Sequence, residues 1–355
     1  MIKKTTAVVL ALLCALLLCS CGAEERPEER EARQGGIWLY GEQHADTACL
    51  GKELAAWNEL YAGGARDLFV ELPCYTADFL NEWLRSDSDE ILDRLYTDWE
   101  GTLIHSPDVL EFYRKIKTKY PETVFHGTDV GHQYDTTGAR YLEWLRENGR
   151  EDSEAYALAQ EIIGQGTVYY TKQARGEHDT FSYREDRMTE NFVRAYEQLS
   201  GADVMGIYGA FHTDPENKDM AEGNGTLARQ LAARYGNALH LKDLTLAEPV
   251  RTDRIQVEGK VYDAVCYGSQ DLSQTGLPWS QREFWRLEDA YADFSDNPLL
   301  GDFLPYGNYP MKIEEGQVFV IDYTGTDGTV ERKYYRSDGL MWNGTPSTQE
   351  FSVTE

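Results

Sequence analysis

Residues 37–71 constrain the fold more than any other part of the chain. The segment opens with an apolar run, Ile37-Trp38-Leu39-Tyr40, that stops at Gly41. Leu50, Leu54, Trp57 and Tyr61 follow at helical spacing, and Leu68-Phe69-Val70 is a second apolar run ending on Glu71. That order reads as strand, helix and strand, a βαβ unit. Parallel strands deliver their C-terminal ends to one edge of a sheet, where open α/β sheets bind ligands. The reading therefore places Glu42, His44 and Glu71 at that edge. A histidine with two carboxylates there makes a general base or a metal site.

The same grammar continues downstream. Residues 108–119 read as a helix, and Thr123-Val124-Phe125-His126-Gly127-Thr128-Asp129 as a third strand with a polar end. Met188, Phe192, Tyr196 and Leu199 mark the apolar face of a later helix. Residues 203–212 then repeat the opening pattern, an apolar strand with Gly209 and His212 in the relation of Gly41 and His44. A helix at 227–235 and a closing strand at 238–241 complete the series. The expected fold is α/β, a mostly parallel central sheet flanked by helices over residues 37–248.

Residues 249–355 change character and are expected to form a mainly β C-terminal extension, either an appended domain or a lid. Glu258-Gly259 and Asp327-Gly328 read as hairpin turns. Ser280-Gln281-Arg282-Glu283 reads as a capping box before a short helix carrying Phe284, Leu287 and Tyr291.

The first residues read as an address. Lys3 and Lys4 precede an apolar run shorter than a membrane span, so residues 1–21 are expected to be a signal peptide. Residues 22–36 read as a charged tether. The chain has 34 Lys plus Arg against 61 Asp plus Glu, a net charge of −27. That balance argues against nucleic acid as a partner, because phosphate binding needs clustered cations. Cys49, Cys74 and Cys266 lie beyond the signal, an odd number that specifies no disulfide framework. Cys49 and Cys74 pair, or all three are buried thiols.

Two resemblances sharpen these readings. Leu18-Cys19-Ser20-Cys21 resembles a bacterial lipobox. It implies lipidation at Cys21 and a protein anchored by lipid on the extracytoplasmic face of the cell membrane. The second covers about residues 37–246, which look like the superfamily of erythromycin esterases, ChaN-like haem-uptake lipoproteins and Tiki proteases. Gly41-Glu42-Gln43-His44 is similar to the Gly-Glu-x-His opening of the ChaN-like branch. Trp99, Gly127-Thr128-Asp129 and the stretch Arg184-Glu185-Asp186-Arg187-Met188-Thr189-Glu190-Asn191 resemble the esterase branch, with Glu185 and Thr189 as departures from its signature.

For the esterase branch the resemblance implies a hydrolase acting on an ester or lactone-like bond of a small molecule. His44 is then the base, Glu42 or Glu71 orients it, Arg184 holds a carboxylate or a developing oxyanion, and His212 is a second acid/base. Asp129 and His126 join as substrate-binding residues, Asp129 alternatively capping the next helix. No cofactor is favoured on this branch. For the Tiki branch the resemblance implies a metal-dependent peptidase, with His44, Glu71 and His212 holding a divalent cation. For the ChaN-like branch it implies a haem-binding or metal-binding uptake protein without hydrolysis.

Overall fold

The computed structural model describes residues 35–199, 201–217, 223–273, 277–342 and 345–354. The signal segment, the lipobox Cys21 and the tether as far as residue 34 lie outside the described residues. Five strands, β1 (Ile37–Glu42), β2 (Asp67–Val70), β3 (Val124–Gly127), β4 (Val204–Gly209) and β5 (Leu239–Asp243), form one sheet in the order β3-β2-β4-β1-β5. Every neighbouring pair is parallel. The expected α/β architecture is what the chain adopts.

Alternation along the strands feeds two cores. Leu68, Val70, Met205 and Ile207 pack with the helices Thr47–Ala62, Cys74–Arg85 and Pro107–Lys119 on one face. Phe69, Val204 and Tyr208 pack with Thr180–Glu197 and Leu227–Tyr235 on the other. β4 is buried at all six positions, as a central parallel strand covered on both faces must be.

The first strand–helix–strand unit does not pair with itself. β4 is inserted between β1 and β2, in register with both. That insertion brings the Gly209 end of β4 between Glu42 at the end of β1 and Glu71 just past β2. Gly41 permits the approach. A Cβ there would meet Thr213 Oγ1 at 2.3 Å and Ala210 Cα at 3.0 Å.

The remainder is antiparallel. Strands β6 (Arg251–Val257), β7 (Lys260–Asp271), β8 (Trp279–Leu287), β9 (Leu299–Pro305), β10 (Val318–Gly325), β11 (Val330–Arg336), β12 (Met341–Trp342) and β13 (Thr345–Phe351) form a second sheet. Its order is β12-β13-β11-β10-β8-β7-β6, with β9 against β13. Glu258 and Gly259 have φ of 49° and 80°, the left-handed pair that a two-residue primed turn requires.

Residues 280–287 correct the sequence reading, for they are strand and not a capped helix. Phe284 enters one apolar cluster, while Trp285 and Leu287 enter the opposite one. That is a period of two, and ladders to β7 and β10 satisfy the backbone on both sides. The helix that does form nearby is one turn, Tyr291–Phe294.

The two sheets meet through the connection after β5. Lys52 Nζ donates to the carbonyls of Leu244 and Leu246 at 2.6 and 3.0 Å, and Ala247 N–H donates to the Pro310 carbonyl at 2.6 Å. Cys49, Cys74 and Cys266 are buried free thiols. Among the described residues no helix is long and apolar enough to cross a membrane.

Candidate active site

The C-terminal edge of the parallel sheet gathers Glu42, His44, Glu71, Asp129, Arg184 and His212. Each arrives by a short path from a strand end or from the helix Thr180–Glu197. His44 Nδ1 lies 2.8 Å from Glu42 Oε1. A carboxylate only accepts, so Nδ1 carries the proton and Nε2 is left as an acceptor. Nε2 stands 3.8 Å from Glu71 Oε1, too far for a hydrogen bond. The Glu42 hydrogen bond, opposed by burial and helped by the charge of Glu71, raises the His44 pKa above its ordinary value.

Glu71 is the hub of the second half. Its Oε2 accepts from the Gly209 N–H at 2.6 Å, and its Oε1 accepts from Arg184 Nη2 at 2.6 Å. His212 Nε2 lies 3.2 Å from the same Oε1. Burial opposes a charge on Glu71, but His212 and Arg184 outweigh it and hold the carboxyl well below its usual range. A Cβ on residue 209 would sit 3.2 Å from His44 Nε2 and 3.4 Å from Glu71 Oε2. Glycine keeps the two halves in contact there.

Arg184 points inward, away from the acidic residues of its own helix. Its Nε and Nη2 donate to Asp129 at 3.0 and 2.5 Å, and its Nη1 lies 3.2 Å from His212 Nε2. Asp129 is fully buried and also holds His132 Nε2 at 2.9 Å, while Tyr170 Oη lies 2.6 Å from His132 Nδ1. Against burial, Arg184 and His132 keep Asp129 ionised.

His212 is 5% exposed, and its Nδ1 makes a short hydrogen bond to Glu185. Glu185 in turn accepts from the Leu227 N–H at 2.6 Å. Burial favours the neutral ring, yet Glu71 and then Glu185 push the His212 pKa up to about 10. Three carboxylates, Glu71, Asp129 and Glu185, thus enclose two cations, Arg184 and His212.

A cavity of about 50 Å³ opens on the His44 side. Glu42, His44, Glu53 and Glu71 line its polar part, and residues such as Ile104 and Phe112 its apolar walls. His126 is not part of this group. It pairs with Asp67 at 2.8 Å and lines a separate cavity with Cys74 and Asp78. Asp129 is in the cluster but lies beneath Arg184, out of reach of the cavity.

A divalent cation does not fit the set His44, Glu71 and His212. Both ring nitrogens of His212 face carboxylates, and the Arg184 guanidinium occupies the space against Glu71. A bound cation would sit against that guanidinium. Among the described residues no group of three or more His, Cys, Asp or Glu side chains is arranged to hold a metal ion.

Three participants escape a reading of strand ends alone: Glu53, Glu185 and His132. For the two carboxylates the signal is in the spacing. Glu53 falls on the helical face of Leu50 and Trp57, and Glu185 on that of Met188 and Phe192. A carboxylate on an apolar helix face is buried unless the helix unwinds, so the pattern singles out both positions.

No protein-family model matches the chain, and no curated protein matches it. Three solved structures resemble it in fold. One is a Bacillus cereus protein, 14% identical, covering 92% of this chain and 88% of its own, with a TM-score of 0.45. A succinoglycan biosynthesis protein is 10% identical over 70% of this chain and 76% of its own, with a TM-score of 0.43. A mutant erythromycin esterase in its open conformation is 10% identical over 71% of this chain and 82% of its own, at 0.44. Likeness at this level assigns no activity and no residue role.

Proposed function

We propose that the protein is a hydrolase in which His44 activates water to cleave an ester or lactone-like bond without a metal. The observation that carries this reading is the division of labour on one ring. Nδ1 is held by Glu42, while Nε2 has no hydrogen-bond partner among the described residues and borders the cavity. That is the orientation of a general base. In the step, an O–H bond of water breaks and its proton goes to Nε2. The water oxygen bonds to the substrate carbonyl carbon, and the carbonyl π electrons move to oxygen. Collapse breaks the bond to the alkoxy oxygen, which takes the proton back from Nε2. Glu42 and Glu71 stabilise the imidazolium between these events. Arg184 and His212 act through Glu71, because their donors already face protein groups.

An ester and lactone panel, assayed on the whole mature protein before and after chelator treatment, tests the reading. Turnover unaffected by chelator is expected, with a rate that rises through one pKa above 6.5, since His44 must be neutral to accept a proton. Activity lost with chelator and restored by a divalent metal would overturn it. So would a Soret shift with haemin and no turnover on any ester.

This chemistry sits outside the cytoplasm, on a lipid anchor at Cys21, with a small-molecule or peptide substrate. The lipobox-like Leu18 to Cys21 motivates it. Cys21→Ser is expected to release the protein from the membrane fraction. Retention with lipid labelling in that variant would remove the anchor.

A further inference from the structure

A second cavity, of about 210 Å³, lies at the β3 edge of the parallel sheet and shares no lining residue with the cavity at His44. β3 closes the sheet on that side, so its outer backbone groups pair with no strand. Asn81 takes those of Phe125, accepting from its N–H at 2.8 Å and donating to its carbonyl at 2.9 Å. Three helices then cover the edge. Cys74–Arg85 brings Asp78, Glu154–Ala174 brings Leu158 and Ile162, and Thr180–Glu197 brings Arg194 and Ala195. Asp78 and Ala195 are short side chains, which leaves room between the helices and the strand.

Asp78 is half-buried in the wall of this cavity, and only one of its oxygens is used. Oδ2 accepts from the Tyr141 hydroxyl. Oδ1 has no hydrogen-bond partner among the described residues and is not sealed from solvent. The cations that line the cavity are engaged elsewhere, Arg194 with Glu161 at 2.6 Å and His126 Nε2 with Asp67 at 2.8 Å. Burial accordingly pushes the Asp78 carboxyl above its ordinary range. Such a carboxylate lacks a counter-ion. Asp67 only accepts, so the His126 proton sits on Nε2 and leaves Nδ1 as an acceptor without a partner among the described residues.

We propose that this cavity binds a small organic cation, an ammonium head on a single-ring apolar body, with Asp78 as its counter-ion. Phe125, Leu158, Ile162 and Ala195 supply the apolar walls. The volume sets the size. A cavity of about 150 Å³ takes benzene, and this one is larger by about a methylene and an amino group. The head gives one N–H to the bare Oδ1 of Asp78, and the free Nδ1 of His126 matches a second. An anionic head is disfavoured, because it would have to compete with Glu161 for Arg194. The net charge of −27 draws cations toward the whole molecule.

This site goes beyond the hydrolase reading and does not depend on it. Benzylamine, benzyl alcohol and benzoate share a ring and differ in the head, and each is titrated into the whole mature protein at physiological ionic strength. Calorimetry should show saturable binding of benzylamine, and NMR should show shifts of the His126 ring while the His44 ring stays still. The amine should bind about tenfold tighter than the alcohol, the factor expected of a charge-assisted hydrogen bond. Asp78→Asn keeps an acceptor for Tyr141 and removes the charge. It should cost the amine that factor and leave the alcohol within about twofold. Ala195→Leu fills the cavity and should exclude both, with the fold checked by circular dichroism. No saturable binding of the amine, equal affinity for amine and alcohol, or shifts at His44 without shifts at His126 would overturn the inference. Unchanged amine affinity in either folded variant would do the same. Tighter binding of benzoate would move recognition to Arg194 and also overturn it. The comparison of head groups on the parent protein decides even if a variant fails to fold.

Discussion

The two Gly-x-x-His strand ends look alike in sequence and are opposite in physics. At the end of β1, His44 faces a cavity with one nitrogen held and the other open. At the end of β4, His212 is buried, and both its nitrogens meet carboxylates. The open ring can exchange a proton with a bound molecule. The enclosed ring is a fixed positive charge, bound with Arg184 into a network that positions Glu71. The difference arises from what covers each end. The helix Thr180–Glu197 lays Arg184 and Glu185 over His212, whereas the helix Pro107–Lys119 leaves space over His44.

The sharpest way to break this comparison is to remove each ring. His44→Ala should reduce kcat by on the order of 10²–10⁴, the usual size of a lost general base, with the fold intact by circular dichroism. His105→Ala should change little, because His105 packs on Tyr96 away from the cavity. Equal losses at 44 and 105 in an ester assay would refute the assignment of His44.

Arg184→Met tests the enclosed half. It leaves Glu71 and Asp129 buried without their shared cation, a change that costs about 3–5 kcal/mol. Denaturant unfolding should show that loss. A stability change under about 1 kcal/mol, the range of exposed ion pairs, would show that the network is solvated.

The enclosed half also sets a pH signature. The His212 pKa is raised from 6.5 to about 10 by folding, so its contribution is complete below about pH 6.5 and is lost as the pH climbs toward 10. Glu53 is raised from 4.5 to about 10, so its contribution is complete only below about pH 4.5 and declines from there toward pH 10. Glu71 is lowered, so its contribution holds above about pH 4.5 and is lost as the pH falls. The thermal midpoint should therefore be highest near about pH 4.5 and fall on the alkaline side, more steeply above about pH 6.5 where the loss at His212 joins that at Glu53. His212→Gln should flatten the alkaline limb, and an unchanged limb in that variant would count against a charged His212.

Much of this arrangement is legible in the amino-acid order itself. Short apolar runs ending on Gly41, Glu71, Gly127 and Gly209 mark the strands because parallel strands are buried on both faces. The polar residue after each run is then a sheet-edge residue by topology alone. Strand order is not legible, since nothing in β1 or β2 states that β4 inserts between them. The direction of Arg184 is equally hidden. Glu185, Asp186 and Glu190 offer local partners, and only the tertiary position of Asp129 and Glu71 draws the guanidinium inward. The segment at 280–287 misleads for a related reason. A capping-box pattern is a local preference worth on the order of 1 kcal/mol, and two full β-ladders outweigh it.

The smallest perturbation separates the halves most finely. Gly209 has φ −50° and ψ 139°, a conformation open to alanine, so Gly209→Ala carries no backbone penalty. Its methyl group would lie 3.2 Å from His44 Nε2 and 3.4 Å from Glu71 Oε2, close enough to displace the ring slightly but not to unfold the sheet. The reduced freedom of the unfolded chain adds about 0.4–1 kcal/mol, which offsets part of the crowding. Stability should stay within about 1 kcal/mol of the parent. Activity should fall by a larger factor, about tenfold, because small displacements of a catalytic group are expensive. Gly41→Ala is the converse case. Its methyl would meet Thr213 Oγ1 at 2.3 Å and backbone at Ala210, so the loss there should be of stability first. Unfolding curves and ester turnover on both variants decide the matter. If Gly209→Ala lost stability and kept its turnover, His44 and Glu71 would not be held in the working arrangement that their contact across Gly209 implies.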